Sequence, residues 1–149
     1  MIAAIIMGRK GSTGLPGKNT MPVLGRPLAE YCMLAARHAR WVDRIYVTTD
    51  DPDLMDLGRM HGARVIERPA ELCTSQALGE DVYRHAWETV RDEAPEPVAQ
   101  VALLMCNAAT VLASRIDEAA AVLDAHPDYD SAVTVSRYNM WSPLRARRE

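Results

Sequence analysis

The chain opens Ile2-Ala3-Ala4-Ile5-Ile6-Met7 and runs directly into Gly8-Arg9-Lys10-Gly11-Ser12-Thr13-Gly14-Leu15-Pro16-Gly17-Lys18-Asn19. An unbroken apolar run is thus followed by four glycines and three fixed cations within twelve residues. Consecutive apolar residues without polar alternation describe a strand buried on both faces, as in a parallel sheet covered by helices. The run is too short to span a bilayer, and it lacks the charged start and small-residue cleavage site of a signal peptide. The loop behind it suits polyphosphate. Glycines allow φ > 0 and close approach of backbone N–H groups to an anion, and Arg9, Lys10 and Lys18 supply charge. The net charge of the whole chain is −3, so this basic loop is local. A pI near 5.8 and the lack of a long Lys/Arg run argue against a general nucleic-acid surface.

Beyond the loop the apolar period alternates between short continuous runs and helical spacing. Leu28, Tyr31, Cys32, Ala35, Ala36 and Ala39 form one stripe, which predicts a helix starting near Pro27. Arg44 to Thr49 is a β-branched second strand. It ends at Asp50-Asp51-Pro52, where an Asp N-cap and a Pro at the first helical position open a helix that closes with Gly62. A short third strand at residues 64–66 leads into an ordered loop over 67–72. A helix over 79–93, a strand over 98–105 and a polar turn at Asn107 follow. Ser114 with Asp117 reads as a capping box for another helix, and Ala132-Val133-Thr134-Val135 as a fifth strand. At 149 residues and 48% hydrophobic content, the chain suits one domain burying about 70% of its unfolded surface. The expected fold is a three-layer α/β/α sandwich with a mostly parallel sheet, its nucleotide-binding domain covering residues 1–137. Ligands in such sheets sit beyond the carboxyl ends of the strands, which brings together residues 8–19, Asp50-Asp51 and Cys106 to Thr110.

The spacing of the loop excludes the two common phosphate motifs. Aligning Gly17-Lys18 with a P-loop puts Ser12 where the first Gly belongs and Asn19 where the magnesium-binding hydroxyl belongs. Gly11, Gly14 and Gly17 recur at threes and do not make G-x-G-x-x-G. Both motifs also require a helix directly behind the loop, whereas Pro22 and Pro27 postpone one to about residue 28. The loop is long and irregular enough to wrap a nucleoside triphosphate.

Residues 9–19 (RKGSTGLPGKN), then VDRIYVTTDD, then RPAEL followed by a Thr/Ser pair resemble the acylneuraminate cytidylyltransferases, the CMP-sugar synthetases, over about the first 80 residues. The loop differs from that family's pattern by Gly8 in place of Ala. The resemblance implies a nucleotidyltransferase (glycosyltransferase-A-like) architecture and the reaction of CTP with a sialic-acid-like 2-keto-3-deoxy sugar acid to CMP-sugar and pyrophosphate, with Mg²⁺ as cofactor and no nucleophilic side chain. It implies phosphate contacts and transition-state stabilisation from Arg9 and Lys18, and hydrogen bonds to phosphate or ribose from Ser12 and Asn19. Gly8, Lys10 and Gly11 complete the nucleotide loop, Arg68 approaches the nucleotide, and Asn107 replaces part of the hydrogen bonding of the family's Gln-containing turn. The metal ligands stay unassigned.

Members of that family run longer, and their later segment supplies a dimerisation lobe, sugar-contacting basic residues and a metal-binding Asp. Residues 138–149 stand where that segment begins. The chain is therefore expected to be part of such a protein, or a relative that binds nucleotide without full turnover. The expected partners are CTP, a sugar acid and a second copy in a homodimer, with neither nucleic acid nor membrane. A nucleotidyltransferase for another base or sugar, and a non-catalytic nucleotide-binding module, remain the rival readings.

Plainer uses compete for several of these residues. Asp50 and Asp51 serve a helix cap more readily than a magnesium site. The four histidines make no ligand spacing, and the three cysteines, odd in number with no C-x-x-C pair, read as small core hydrophobes in a reduced, cytoplasmic protein.

Overall fold

The computed structural model describes residues 1–11 and 14–135. Its elements run β1 (Ile2–Met7), β2 (Pro22–Val23), β3 (Arg26–Pro27), α1 (Leu28–His38), β4 (Arg44–Thr49), α2 (Pro52–Met60), β5 (Arg64–Glu67), a 3₁₀ turn (Ala70–Leu72), α3 (Gly79–Glu93), β6 (Gln100–Met105) and α4 (Ala113–Ala125). The main sheet has the order β5-β4-β1-β6, every pair parallel.

β1 is the centre of this sheet and is buried along its whole length. Its alternate residues serve opposite faces. Ala4 and Ile6 pack with Ala29, Cys32, Leu54 and Ile116 of three helices, α1, α2 and α4. Ala3, Ile5 and Met7 pack with Val82, Ala86 and Val90 of α3 on the other face. The two clusters make the three-layer sandwich, and they explain why the opening run carries no polar residue.

Local signals act as their chemistry requires. Asp51 caps α2 by accepting from the Asp53 N–H at 3.1 Å, with Pro52 at the first helical position. Gly62, at φ +76°, ends that helix with its N–H on the Arg59 carbonyl. β2 and β3 form a small antiparallel hairpin around Leu24 (φ +48°) and Gly25 (φ +84°), the two positive φ values of a type I′ turn.

Two expectations are corrected. Ser114 and Asp117 form no capping box: α4 begins after Leu112 with no side-chain cap, and the Asp117 carboxylate accepts the Trp41 N–H at 3.0 Å, tying α4 to the connection before β4. Residues 132–135 are not a strand. Val133 and Val135 are 77% and 91% exposed, and nothing among the described residues pairs with them or with the outer edge of β6. β-branched composition favours an extended chain, but a strand exists only with a ladder partner. The expected segment at 138–149 lies outside the described residues.

Candidate functional site

The chain leaves β1 for β4 and β5 on one side, and β6 lies on the other. The strand order therefore reverses between β1 and β6, where open α/β sheets hold their ligands. The carboxyl ends of those strands are Met7-Gly8 and Met105-Cys106-Asn107. A cleft of about 430 Å³ opens there, within the range of roughly 300–1,000 Å³ usual for small-molecule sites. Gly8, Arg9, Lys18, Asn19, Cys106 and Asn107 line it, together with Met7, Gly14 and Leu15. A larger groove of about 900 Å³ follows the open edge of β6 between α3 and α4. Its walls include Trp87, Ile116, Ala119 and Leu123, and it lacks the convergent cations of the cleft.

The loop holds its shape through its own backbone. Lys18 N–H donates to the Leu15 carbonyl, and Thr20 and Met21 N–H groups donate to Gly17, which sits at φ +67°. Asn19 is only 7% exposed: its amide Nδ2 donates to the Arg9 carbonyl at 3.2 Å, closing the loop across its mouth, and its own carbonyl accepts the Ala29 N–H at 2.8 Å. The Leu28 N–H is taken by Met21. The first two amides of α1 are thereby occupied by backbone carbonyls. Arg9 and Lys18 are half-buried at the cleft, and Arg9 Nη1 rests on the Gly11 carbonyl at 3.1 Å.

The turn after β4 braces the loop from outside. Asp50 Oδ1 accepts the Lys10 N–H at 2.8 Å, and Asp51 N–H donates to Thr49 Oγ1 at 3.0 Å. Both aspartates thus have structural work. Lys10 and Gly11 are exposed and lie outside the cleft lining; Ser12 lies outside the described residues.

Arg68 is placed differently from the expectation that it approaches a nucleotide. It lies beneath the loop, 7% exposed and not among the lining residues, with Nη2 donating to the carbonyls of Gly8 at 3.0 Å and Thr48 at 2.9 Å. Its Nε is buried without a partner among the described residues. Burial lowers the Arg68 pKa, opposed chiefly by attraction to Asp50. A guanidinium stays protonated even so, and a fixed cation therefore sits directly under the first residue of the loop.

Cys106, read from sequence as a core hydrophobe, is 2% exposed and also forms part of the cleft wall. Its thiol pKa is pushed up by the hydrogen bond with Cys32 and by burial. Gly14 and Leu15 were inside the quoted loop but carried no signal as lining residues.

Comparison with known proteins agrees with this fold. The N-acylneuraminate cytidylyltransferase of Escherichia coli O18:K1:H7 is 30% identical over 143 residues, covering 96% of this chain and 33% of that protein. A solved CMP:2-keto-3-deoxy-manno-octonic acid synthetase complexed with CTP superposes with a TM-score of 0.68 at 19% identity, over 85% of this chain and 48% of that one. A Mycobacterium tuberculosis H37Rv protein solved with manganese gives a TM-score of 0.59 at 16% identity, over 85% and 60%. The chain thus spans about a third of the Escherichia coli relative and about half of the synthetase. Since the family model described as cytidylyltransferase matches residues 3–126, the chain belongs to the cytidylyltransferase family.

Proposed function

We propose that the cleft between β1 and β6 holds the triphosphate of CTP, and that the chain carries the nucleotide-handling part of an enzyme joining CMP to a 2-keto-3-deoxy sugar acid of the sialic-acid type. The observation that carries this reading is the convergence of Arg9, Lys18, Asn19 and Asn107 on one cleft at the strand ends. In the reaction a sugar hydroxyl attacks the α-phosphorus, forming the new P–O bond as the bond to pyrophosphate breaks. Negative charge builds on the leaving oxygens. Arg9 and Lys18 are the cations placed to stabilise it, and Asn19 and Asn107 offer neutral hydrogen-bonding groups. Gly8, Lys10, Gly11 and Ser12 complete the nucleotide loop in this reading. Arg68 serves the nucleotide through the Gly8 carbonyl, which it grips.

Magnesium fits this site as part of the substrate. No group of three or more His, Cys, Asp or Glu that could hold a metal ion occurs among the described residues, and Asp50 and Asp51 are engaged with backbone N–H groups. Brought with CTP, magnesium would lend the triphosphate charge compensation beside Arg9 and Lys18.

The same reading takes residues 1–137 as the nucleotide-binding domain and 138–149 as the start of a segment for dimerisation or sugar contact. Its assembly is a homodimer. A reducing, cytoplasmic location suits three cysteines that are all free. No helix among the described residues is long and apolar enough to cross a membrane.

Pyrophosphate release from CTP, compared with ATP, GTP and UTP in the presence of magnesium and a 2-keto-3-deoxy sugar acid, tests the reading. Selective release with CTP and formation of CMP-sugar are expected. Preference for another nucleotide would overturn the substrate, and CTP binding without product would reduce the chain to a nucleotide-binding module.

A further inference from the structure

Gly8 and Cys106 meet at the floor of the cleft. A Cβ built on Gly8 would fall inside the van der Waals envelope of Cys106 Sγ, and would lie 2.9 Å from Leu54 Cδ1 and 3.1 Å from Cys106 Cβ. The Leu54 methyl is the far end of a flexible side chain and can retreat. The thiol cannot do so easily. Cys106 is 2% exposed, its N–H donates to the Met7 carbonyl at 3.0 Å, and it is packed in the same buried cluster as Cys32 and Leu54. The sulfur of Cys106 therefore occupies the volume that any other residue at position 8 would need.

Gly8 is equally constrained on its other side. Its N–H donates to the Thr48 carbonyl at 3.3 Å and its carbonyl is held by Arg68. The contact also closes a circuit. Arg9 is bonded to Asn19 through the amide, Asn19 to Ala29 through the backbone, and Cys32 Sγ to the Ala29 carbonyl at 3.1 Å. Cys32 shares one buried cluster with Cys106, and Cys106 abuts Gly8. The residue that follows Gly8 is Arg9 and the one that follows Cys106 is Asn107, both polar groups of the cleft. A displacement at the Gly8–Cys106 contact is passed directly to them.

We infer that Cys106 is a positioning residue matched to Gly8, so that the pair sets the spacing between Arg9 and Asn107 across the nucleotide cleft. The inference rests on the proposed CTP site for its functional readout and on packing alone for its structural one.

The experiment is a double-mutant cycle of Gly8→Ala and Cys106→Ala in the full chain, read as affinity for magnesium–CTP by calorimetry at a temperature where every variant is folded. Overpacking makes Gly8→Ala bind about tenfold more weakly or worse, and Cys106→Ala about threefold more weakly. The double variant, relieved of the sulfur, recovers to within about threefold of the unmodified chain, where independent sites would multiply to about thirtyfold. Affinity within about twofold of normal for Gly8→Ala, or multiplicative loss in the double variant, overturns the pairing. Melting temperatures of the same four proteins give a readout free of nucleotide, falling for Gly8→Ala and recovering in the double variant. If the unmodified chain binds no CTP, the functional reading fails, while the melting cycle still decides whether the two residues are matched.

Discussion

Replacing Arg68 by Ala separates a prop from a ligand. The side chain makes two charge-assisted hydrogen bonds from one nitrogen, to Gly8 and Thr48 carbonyls. Bonds to charged groups contribute about 1.5–3 kcal/mol each. The Thr48 carbonyl keeps a second donor, the Gly8 N–H at 3.3 Å, so its loss is the smaller. Against this, removal relieves the cost of a buried guanidinium with an unpartnered Nε. The balance is a destabilisation of about 2–4 kcal/mol, which for a domain of this size lowers Tm by roughly 5–15 °C. Differential scanning calorimetry measures the fall, and CTP titration at low temperature measures affinity on the remaining folded protein. The reasoning expects a large fall in Tm with a moderate loss of affinity, transmitted through Gly8. A Tm within about 2 °C of normal, together with loss of CTP binding, would refute it and make Arg68 a direct ligand.

Other outcomes follow from the same geometry. Arg9→Ala and Lys18→Ala should each weaken CTP binding by about 1.5–3 kcal/mol in calorimetry while leaving Tm nearly unchanged, because neither side chain holds the core; unchanged affinity in both removes the triphosphate from the cleft. Leu24→Asn should stabilise the fold by about 1 kcal/mol in urea titration, since leucine at φ +48° is strained where Asn is tolerated; a loss of stability would contradict the turn assignment. Half-buried Cys73 should react with a thiol-specific reagent in the native state, Cys32 and Cys106 only on unfolding. Burial raises the Cys73 pKa, so its rate should still be climbing with pH above the free-thiol value of about 8.5; a plateau below that value would show the shift to have the opposite sign.

What could be read from the sequence was set by local physics. The apolar run of β1 reports burial on two faces without reference to any partner, and Asp51-Pro52 starts a helix using atoms only two residues apart. The loop's glycines and cations predicted a cleft, and Arg9, Lys18 and Asn19 do line one. Features that depend on distant partners escaped. The segment at 132–135 has strand composition but no ladder neighbour among the described residues. The β2–β3 hairpin is too short to show alternation, and its turn carries Leu where Asn or Gly would have signalled it. Whether Arg68 reaches outward or folds beneath Gly8 is decided by carbonyls at positions 8 and 48, and no spacing in the sequence encodes that choice.

The closure of α1 onto the loop has a consequence for how the cleft holds an anion. The first two amides of the helix, those of Leu28 and Ala29, are donated to Met21 and Asn19 and so are not free to bind an anion. With Arg68 acting from beneath through Gly8, the charges lining the cleft of the proposed triphosphate site are those of Arg9 and Lys18, half in contact with water. Such charges are screened within about 8 Å at physiological ionic strength. Added salt should therefore loosen the phosphates first, while the amide of Asn19, anchored to the Arg9 carbonyl, keeps the mouth of the loop closed.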